Sequence, residues 1–210
     1  MAGARNLAGA IVLLVLLGWG GGAAAVDEAA AVGRVTAVEG RAVALRDDGR
    51  TLLTVGAPVY RDDRVSTGPG ARLGIEFTDG STLAVGAGSL IAVSDYAVGS
   101  GGAADATISL FMGILRAVIA PGTPPGGFEV QTRAAVASVR STEFVVTVEP
   151  DDAHMAAFAV SGTVAVIAPA GTVVLEPGFG TDVDVGEAPV PPREWGAGRV
   201  REVLARTRLP

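Results

Sequence analysis

A single imidazole side chain limits the catalytic and metal-binding chemistry open to this chain. His154 is the only histidine among 210 residues. It follows Asp151 and Asp152 in a segment typical of a turn. General acid–base catalysis and zinc binding both need further groups at fixed distances from the imidazole, and the sequence singles out none. We therefore expect His154 to be an exposed loop residue outside any catalytic or metal site.

Neighbouring aspartates are the other candidates for site chemistry, because carboxylate oxygens bind hard cations such as Ca²⁺. The pairs Asp47-Asp48, Asp62-Asp63 and Asp151-Asp152 lack the ligand spacing of a calcium-binding loop, and Asp-rich turns are common in β proteins. Asp182 and Asp184 alternate with valines, which predicts that both lie on the solvent face of a strand. The sequence therefore predicts neither a metal site nor a cofactor.

The remaining composition excludes several classes of function. The chain has no Cys, its 16 basic residues are all arginine, and its formal net charge is −6. Without cysteine there is no disulfide and no thiolate nucleophile, and an acidic chain offers no footprint for nucleic acid. Ser81, Ser89 and Ser141 have no recognisable base and lie outside a G-x-S-x-G elbow. We expect a protein without enzymatic activity.

Residues 1–25 have the three-part layout of a secretory signal peptide. Arg5 precedes an apolar segment, Leu7–Leu17, and a Gly/Ala stretch ends at Ala25. The apolar segment is shorter than the roughly 20 residues of a membrane-spanning helix. We expect cleavage near Ala25 and a periplasmic location. The alternatives are cleavage at Ala31 and an uncleaved anchor in the inner membrane facing the periplasm.

Short alternating apolar runs after the signal segment predict an all-β fold. Two such runs, Leu73–Phe77 and Leu83–Val85, flank Asp79-Gly80, which predicts a hairpin with a type I′ turn. Tyr60 and Tyr96 fall at the ends of predicted strands, where they could serve an interface or cap the core.

The C-terminal residues have a different pattern. Arg199–Arg206 is the one plausible helix, and Val200, Val203 and Leu204 share one of its faces. This face could dock on the protein's own sheet or contact another protein. We divide the chain into a signal peptide (1–25), a β domain (26–188) and a Pro-rich linker with a short helix (189–210).

One glycine pattern occurs twice in the chain. Gly40, Gly49 and Gly56 have the same spacing as Gly162, Gly171 and Gly178, at an offset of 122 residues. Each copy reads as a strand, a tight turn, a second strand and a bend. The repeat favours stacked hairpins in a solenoid or β-helix-like arrangement, and a sandwich-like arrangement of hairpins is the alternative.

Several motifs in register resemble the FecR domain family over roughly residues 33–186. The resemblance is carried by the following stretches, in the order in which the family has them: Val35 to Val43 around Gly40; Val55-Gly56 followed by Asp63 to Gly68; the Leu73 to Ser81 hairpin with Asp79-Gly80-Ser81; Leu110 to Ala117 with Gly113 and Arg116; Val139-Arg140-Ser141-Thr142-Glu143-Phe144; Val160 to Val164; and Leu175 to Gly178.

The resemblance implies a FecR-type β domain and a set of motif residues whose roles we expect to be structural. These are Asp79, Gly80, Arg140, Thr142, Phe144, Gly162 and Gly178. Arg140 could bind a carboxylate in bidentate geometry, or pair with Glu143 or Glu129 to fix a neighbouring strand. Ser141 stands where the family usually has glycine, which would introduce strain if that position needs a positive φ.

The resemblance implies less about signalling. In the signalling members of the family that this chain resembles, a cytoplasmic segment that binds a sigma factor is joined to the domain through a membrane helix. Six residues precede the apolar segment here, too few for such a segment, and the 24 residues after Gly186 are too few for a second domain.

Three functions follow from this reading. The first is a periplasmic binding or scaffolding module of the cell envelope, with another envelope protein or a cell-wall component as partner. The second is a sensor that regulates an extracytoplasmic-function sigma factor or iron uptake through a separate membrane partner. The third is a structural protein associated with peptidoglycan or polysaccharide.

Overall fold

The computed structural model describes residues 31–46, 49–98, 104–121, 127–151 and 153–210. The predicted signal peptide and the aspartates at 47, 48 and 152 lie outside the described residues, as do the side chains of Arg140 and Ser141. Within the described ranges, no helix is long and apolar enough to cross a membrane.

The described chain forms strands throughout its length and one helix near the C-terminus, which confirms the all-β prediction. The strands are β1 (Gly33–Glu39), β2 (Ala42–Arg46), β3 (Gly49–Leu52), β4 (Pro58–Val59), β5 (Arg64–Thr67), β6 (Arg72–Phe77), β7 (Thr82–Val85), β8 (Leu90–Val98), β9 (Ala104–Val118), β10 (Phe128–Gln131), β11 (Val136–Val148), β12 (His154–Ala168), β13 (Gly171–Leu175), β14 (Phe179–Asp184) and β15 (Arg193–Glu194), and the helix is α1 (Ala197–Arg206).

Three long strands divide the hydrogen-bonded sheet into two branches. The open branch has the order β3-β2-β5-β8-β9-β10-β11-β12-β13, and the covered branch has the order β4-β1-β6-β7-β9-β11-β12-β14-β15. Strands β9, β11 and β12 belong to both. All described neighbours are antiparallel except β9 and β10, which are parallel.

The long strands cross from one branch to the other at irregular positions in their backbones. Strand β9 crosses at Gly113 and β12 at Gly162, whose φ angles are 97° and 69°. Strand β11 crosses between Arg140 and Glu143, where its register with β12 shifts. A positive φ is accessible to glycine at little cost, so glycine lets a continuous strand change direction. Three of the motifs thus mark the crossing points.

The two branches pack face to face around one core. An aromatic row links them: Phe128 of the open branch lies 6.4 Å from both Phe77 and Phe144 of the covered branch, and Phe77 stacks on Tyr96 at 5.3 Å. All four rings are buried. Of the two predicted arrangements, the sandwich-like one describes this packing, and the shared strands make the sheet barrel-like. Apolar burial of this kind is the main source of stability in such a body.

The glycine repeat corresponds to two hairpins of the same register. In the N-terminal hairpin Val43 pairs with Leu52 and Leu45 with Arg50. At the offset of 122 residues, Ala165 pairs with Val174 and Ile167 with Thr172. The turns that follow also agree, because Ala57 N donates to Thr54 O and Phe179 N to Glu176 O, both at 3.0 Å. Strands β3 and β13 therefore form the two ends of the open branch.

The predicted hairpin at Asp79-Gly80 exists, but its turn type was wrong. Glu76 pairs with Thr82, and Phe77 N donates to Ser81 O at 2.8 Å, so the loop has three residues. Gly80 has a φ of 84°, whereas Asp79 is absent from the described residues with positive φ. A type I turn followed by a glycine bulge has this pattern, while a type I′ turn needs two positive φ angles.

The C-terminal segment, which the sequence predicts to be a Pro-rich linker and a short helix, contacts the β domain directly. Strand β15 pairs with β14, and the Thr181 hydroxyl donates to Val190 O at 2.6 Å. Helix α1 docks on the outer face of the covered branch, where Val203 and Trp195 pack against a second apolar cluster comprising Ile114, Val145, Ala156 and Phe158. The predicted helix and its apolar face are confirmed.

Candidate functional site

The motif residues Asp79 and Gly80 hold a turn against the end of β9. The Asp79 carboxylate accepts hydrogen bonds from Ser81 N at 2.9 Å and from the Ser81 hydroxyl at 2.8 Å. The Ser81 hydroxyl also accepts from Ala120 N at 3.0 Å, and Asp79 N donates to the Tyr96 hydroxyl at 3.1 Å. Burial raises the pKa of Tyr96, which keeps its hydroxyl protonated. These contacts occupy the polar groups of the turn.

The other motif residues lie apart from this turn. Phe144 is in the aromatic row, and the Thr142 hydroxyl donates to Thr163 O at 3.2 Å between β11 and β12. Gly178 occupies the turn between β13 and β14, and Gly162 the crossing of β12. The backbone of Arg140 pairs with Thr163. The motif residues whose side chains the structure describes do not lie together in one site.

Glu143, one of two predicted partners for Arg140, forms an ion pair with Arg116. Arg116 Nε donates to Glu143 Oε1 at 2.7 Å, and residue 143 faces residue 118 of β9 in the strand register. The motif residue Arg116 thus ties β9 to β11 just beyond their crossing points. Such an ion pair is partly exposed and contributes at most about 1 kcal/mol.

An ion pair between Arg46 and buried Asp63 was not predicted from the sequence. Asp63 is buried, and Arg46 binds it through Nε at 2.5 Å and Nη2 at 2.8 Å. Tyr60 N donates to the same carboxylate at 2.9 Å, and the Arg46 guanidinium lies 4.7 Å from the Tyr60 ring centre. Tyr60 therefore stacks on an internal ion pair. Asp62 and Asp63 form part of a turn, as predicted, because Asp62 has a φ of 66° and Asp63 N donates to Tyr60 O at 3.3 Å.

His154 is not an exposed loop residue, which corrects the prediction. It begins β12 opposite Asp184 of β14, with Nδ1 2.8 Å from Asp184 Oδ1 and Nε2 3.5 Å from Asp182 Oδ1. Arg199 and Arg193 also donate to Asp182, at 2.6 and 3.1 Å. The Asp182 side chain is only 14% exposed, so its predicted place on the wet face was wrong, whereas Asp184 at 70% is exposed.

Electrostatics in this charged cluster follow from these contacts. Hydrogen bonds from Arg199 hold the pKa of Asp182 below its usual value, against the opposing effect of burial. Burial alone would lower the pKa of His154, but the hydrogen bond and charge of Asp184, with the charges of Asp182 and Glu149, raise it overall. The described residues contain no group of three or more His, Asp or Glu side chains placed to hold a metal ion. The arrangement fixes α1 and β15 to β14.

The outer face of the open branch, here called the open face, carries exposed apolar residues, whereas α1 packs on the outer face of the covered branch. One register row crosses it through residues 50, 45, 64, 92, 109, 131, 136, 167 and 172. Ile167 and Val174 are 43% and 52% exposed at one end, and Leu52 is 58% exposed at the other. Apolar residues at uncovered sheet ends are typical of contact surfaces.

The family model described as FecR protein matches residues 63–165. The chain carries a FecR domain. The match begins at buried Asp63 and ends within β12, so it includes all three crossing points. The N-terminal hairpin, β13, β14 and α1 lie outside the residues matched to the FecR domain.

Two crystal structures of a candidate anti-sigma factor from Parabacteroides distasonis ATCC 8503, at 1.65 and 2.50 Å resolution, share this fold. Each is 21% identical in sequence with a TM-score of 0.55, and each alignment covers 67% of the present chain. The chain spans 64% and 63% of the length of these two neighbours, less than two thirds. No curated protein matches the chain.

Proposed function

We propose that this FecR-domain protein is an exported binding module without enzymatic activity, which engages another envelope protein through the open face and its two edge strands. The observation that carries the proposal is an asymmetry of the two branches. Helix α1 and Trp195 pack on the outer face of the covered branch, whereas the open face carries exposed apolar residues at both ends. A surface of this kind is available to a partner.

The use of the charged residues supports a binding role over catalysis. Asp63, Glu143 and Asp182 are each paired with arginine, and Glu39 and Glu76 pair with Arg72 and Arg34. A carboxylate that already accepts hydrogen bonds from an arginine is not free to take a proton from a substrate as a general base. These ion pairs stabilise contacts between neighbouring segments, and the carboxylates remain bound to arginine.

A second candidate function is a part in FecR-type signalling, in which the module acts through a separate membrane partner that regulates a sigma factor. The fold shared with the candidate anti-sigma factor favours this possibility. In this case the open face would contact a receptor or a membrane-bound regulator. The two candidates differ in the identity of the partner and share the same surface.

Site-specific crosslinking tests the proposed surface. A photoreactive amino acid at Ile167 or Val174 of the full chain, expressed in the organism that encodes the protein, should crosslink to one defined protein. The same group at Glu202, exposed on α1, is the control and should not. Equal crosslinking from both faces would contradict the proposal. Attachment to glycan alone would favour the cell-wall function.

Export is tested separately by the mature N-terminus. The full chain with a C-terminal tag should appear in the periplasmic fraction and begin at Val26. A chain that keeps Met1 and fractionates with the inner membrane would support the uncleaved anchor. Recovery of the full-length chain from the cytoplasm would contradict export.

A further inference from the structure

The two repeated hairpins differ in charge at equivalent positions. Arg41 and Arg50 of the N-terminal hairpin correspond at the offset of 122 residues to Thr163 and Thr172. Both threonines are exposed, as are both arginines. The shared register shows that this hairpin geometry forms with threonine as well as with arginine. Arginine at these two positions is therefore not required to form the hairpin.

The two arginines line one cleft. A cleft of about 220 Å³ lies beside β2 and is bounded by Arg41, Val43, Arg50, Ser66 and Gly68. Val43 pairs with Ser66 of β5 and with Leu52 of β3, so the cleft runs across three strands at the end of the open face. Among ion pairs within the described residues, neither Arg41 nor Arg50 takes part.

The strand beside the cleft has a free edge. All four residues of β3 are exposed, and its one described partner is β2. The equivalent edge at β13 is more crowded, because a Cβ placed on Gly171 would lie 3.5 Å from the Cβ of Ala188 and 3.8 Å from Pro189. An unpaired strand edge offers backbone donors and acceptors to an extended peptide.

We propose that the Arg41–Arg50 cleft and β3 together bind an extended acidic segment of a partner protein. The peptide adds a strand beside β3, and its carboxylates accept hydrogen bonds from the two guanidiniums. The planar guanidinium suits bidentate binding of a carboxylate. The net charge of the chain, −6, disfavours acidic peptides over the surface as a whole. Two neighbouring arginines therefore restrict the binding of such peptides to this end of the open face. The inference rests on the proposed function and specifies the partner's chemistry.

Calorimetry with a synthetic peptide tests this inference. The probe is an acetylated and amidated peptide with alternating glutamate and valine, and its glutamine counterpart is the uncharged control. The full mature chain should bind the glutamate peptide at least about tenfold more tightly than the glutamine peptide. The difference should shrink as the salt concentration rises, because exposed charges are screened.

Variants separate the cleft from net charge. The double variant Arg41→Thr, Arg50→Thr copies the C-terminal hairpin and should fold normally, yet lose the preference for glutamate. Arg201→Thr, Arg208→Thr removes the same charge from exposed positions at the C-terminus and should bind like wild type. Circular dichroism confirms folding of both.

The inference would be overturned if the two peptides bound equally, or if the double variant Arg41→Thr, Arg50→Thr kept the preference for glutamate. It would also be overturned if the backbone amide NMR shifts that change on peptide binding were centred on β13 instead of β3. Tighter binding of a uronate polysaccharide than of the peptide would do so as well. If crosslinking from Ile167 and Val174 still captures a defined protein, the proposed function stands while this assignment fails. If both fail, the open face is not the contact surface.

Discussion

Individual residues in this protein are constrained by close backbone packing at the crossing points. Gly113 lets β9 pass from one branch to the other, and Ser89, the residue before β8, lies directly beside it. The buried Ser89 hydroxyl donates to Gly86 O at 2.9 Å and accepts from Ile114 N at 3.0 Å. A side chain at position 113 would displace these groups. The motif glycine is therefore explained by geometry and needs no ligand.

Replacing Gly113 with alanine should lower the free energy of unfolding by about 3 kcal/mol, from left-handed strain and overpacking together. The new Cβ would overlap the Ser89 side chain and lie 2.5 Å from Ser89 Cα. Gly198→Ala is the control, because its Cβ would meet nothing within 4 Å in α1. That change should be neutral or stabilising by up to about 1 kcal/mol. Urea unfolding measures both, and equal midpoints would contradict the packing argument.

The imidazole of His154 should make stability depend on pH. Its pKa is raised in the folded state, so the protonated form stabilises the fold below the unfolded value of 6.5. This contribution is lost as the pH rises through the folded pKa. The destabilisation caused by His154→Asn should therefore be larger at pH 5.5 than at pH 8.5, as measured by urea unfolding.

Asp184 provides the check on this explanation, because it is the main source of the raised pKa. Asp184→Asn should bring the apparent pKa of His154, followed by NMR, back toward its usual value. If His154→Asn costs the same at both pH values, the imidazole does not stabilise the fold through its charge.

At the scale of elements, an aromatic stack adds to the strand pairing and ion pairs that hold the C-terminal segment. Trp195 lies between Phe158, at 4.9 Å between ring centres, and the Arg199 guanidinium, at 3.6 Å. It is 6% exposed, and its indole N–H has no hydrogen-bond partner within the described part of the chain. Gly180 makes room for it, since a Cβ there would overlap the indole. The stack positions Arg199 for its ion pair with Asp182.

Trp195→Ala should lower the free energy of unfolding by about 3–5 kcal/mol, because it leaves a cavity under α1. Trp195→Phe should cost only about 1 kcal/mol, because it keeps the aromatic stack and removes a buried donor without a partner. Chemical denaturation followed by circular dichroism compares the two. A phenylalanine variant as unstable as the alanine variant would indicate that the indole N–H is bonded.

For the molecule as a whole, one sheet with two branches provides two outer faces, one covered by the C-terminal segment and one exposed. The C-terminal segment covers one of them, so the second apolar cluster is completed by residues far along the chain from Ile114 and Val145. The other face ends in two hairpins of common register but different charge. The repeat therefore supplies two edges of equivalent register that differ in charge.

A chain that ends at residue 188 should be less stable than the full chain and should bind a hydrophobic dye such as ANS. The reason is that Ile114, Val145, Ala156 and Phe158 would lose their cover. Addition of a synthetic peptide of residues 189–210 should reverse the dye binding. Identical unfolding midpoints for the short and full chains would show that the segment is only an appendage.

Local sequence patterns were sufficient for the strands, the hairpin repeat, the FecR resemblance and the helix. Alternating apolar residues determine which face of a strand is buried, and glycine spacing marks bends, because both depend on neighbours in the chain. Turn type was harder to predict, since Asp79 adopts the conformation that Tyr96 and Ser81 select through hydrogen bonds.

Only the tertiary structure decided the partners of the charged residues. His154 meets Asp184 across 30 residues, and Asp182 meets Arg199 on a helix that docks from the end of the chain. Strand register places Arg41 and Arg50 on one cleft, and helix docking leaves the other face uncovered. Such pairings depend on distances between segments that are remote in the chain, and no local pattern encodes those distances.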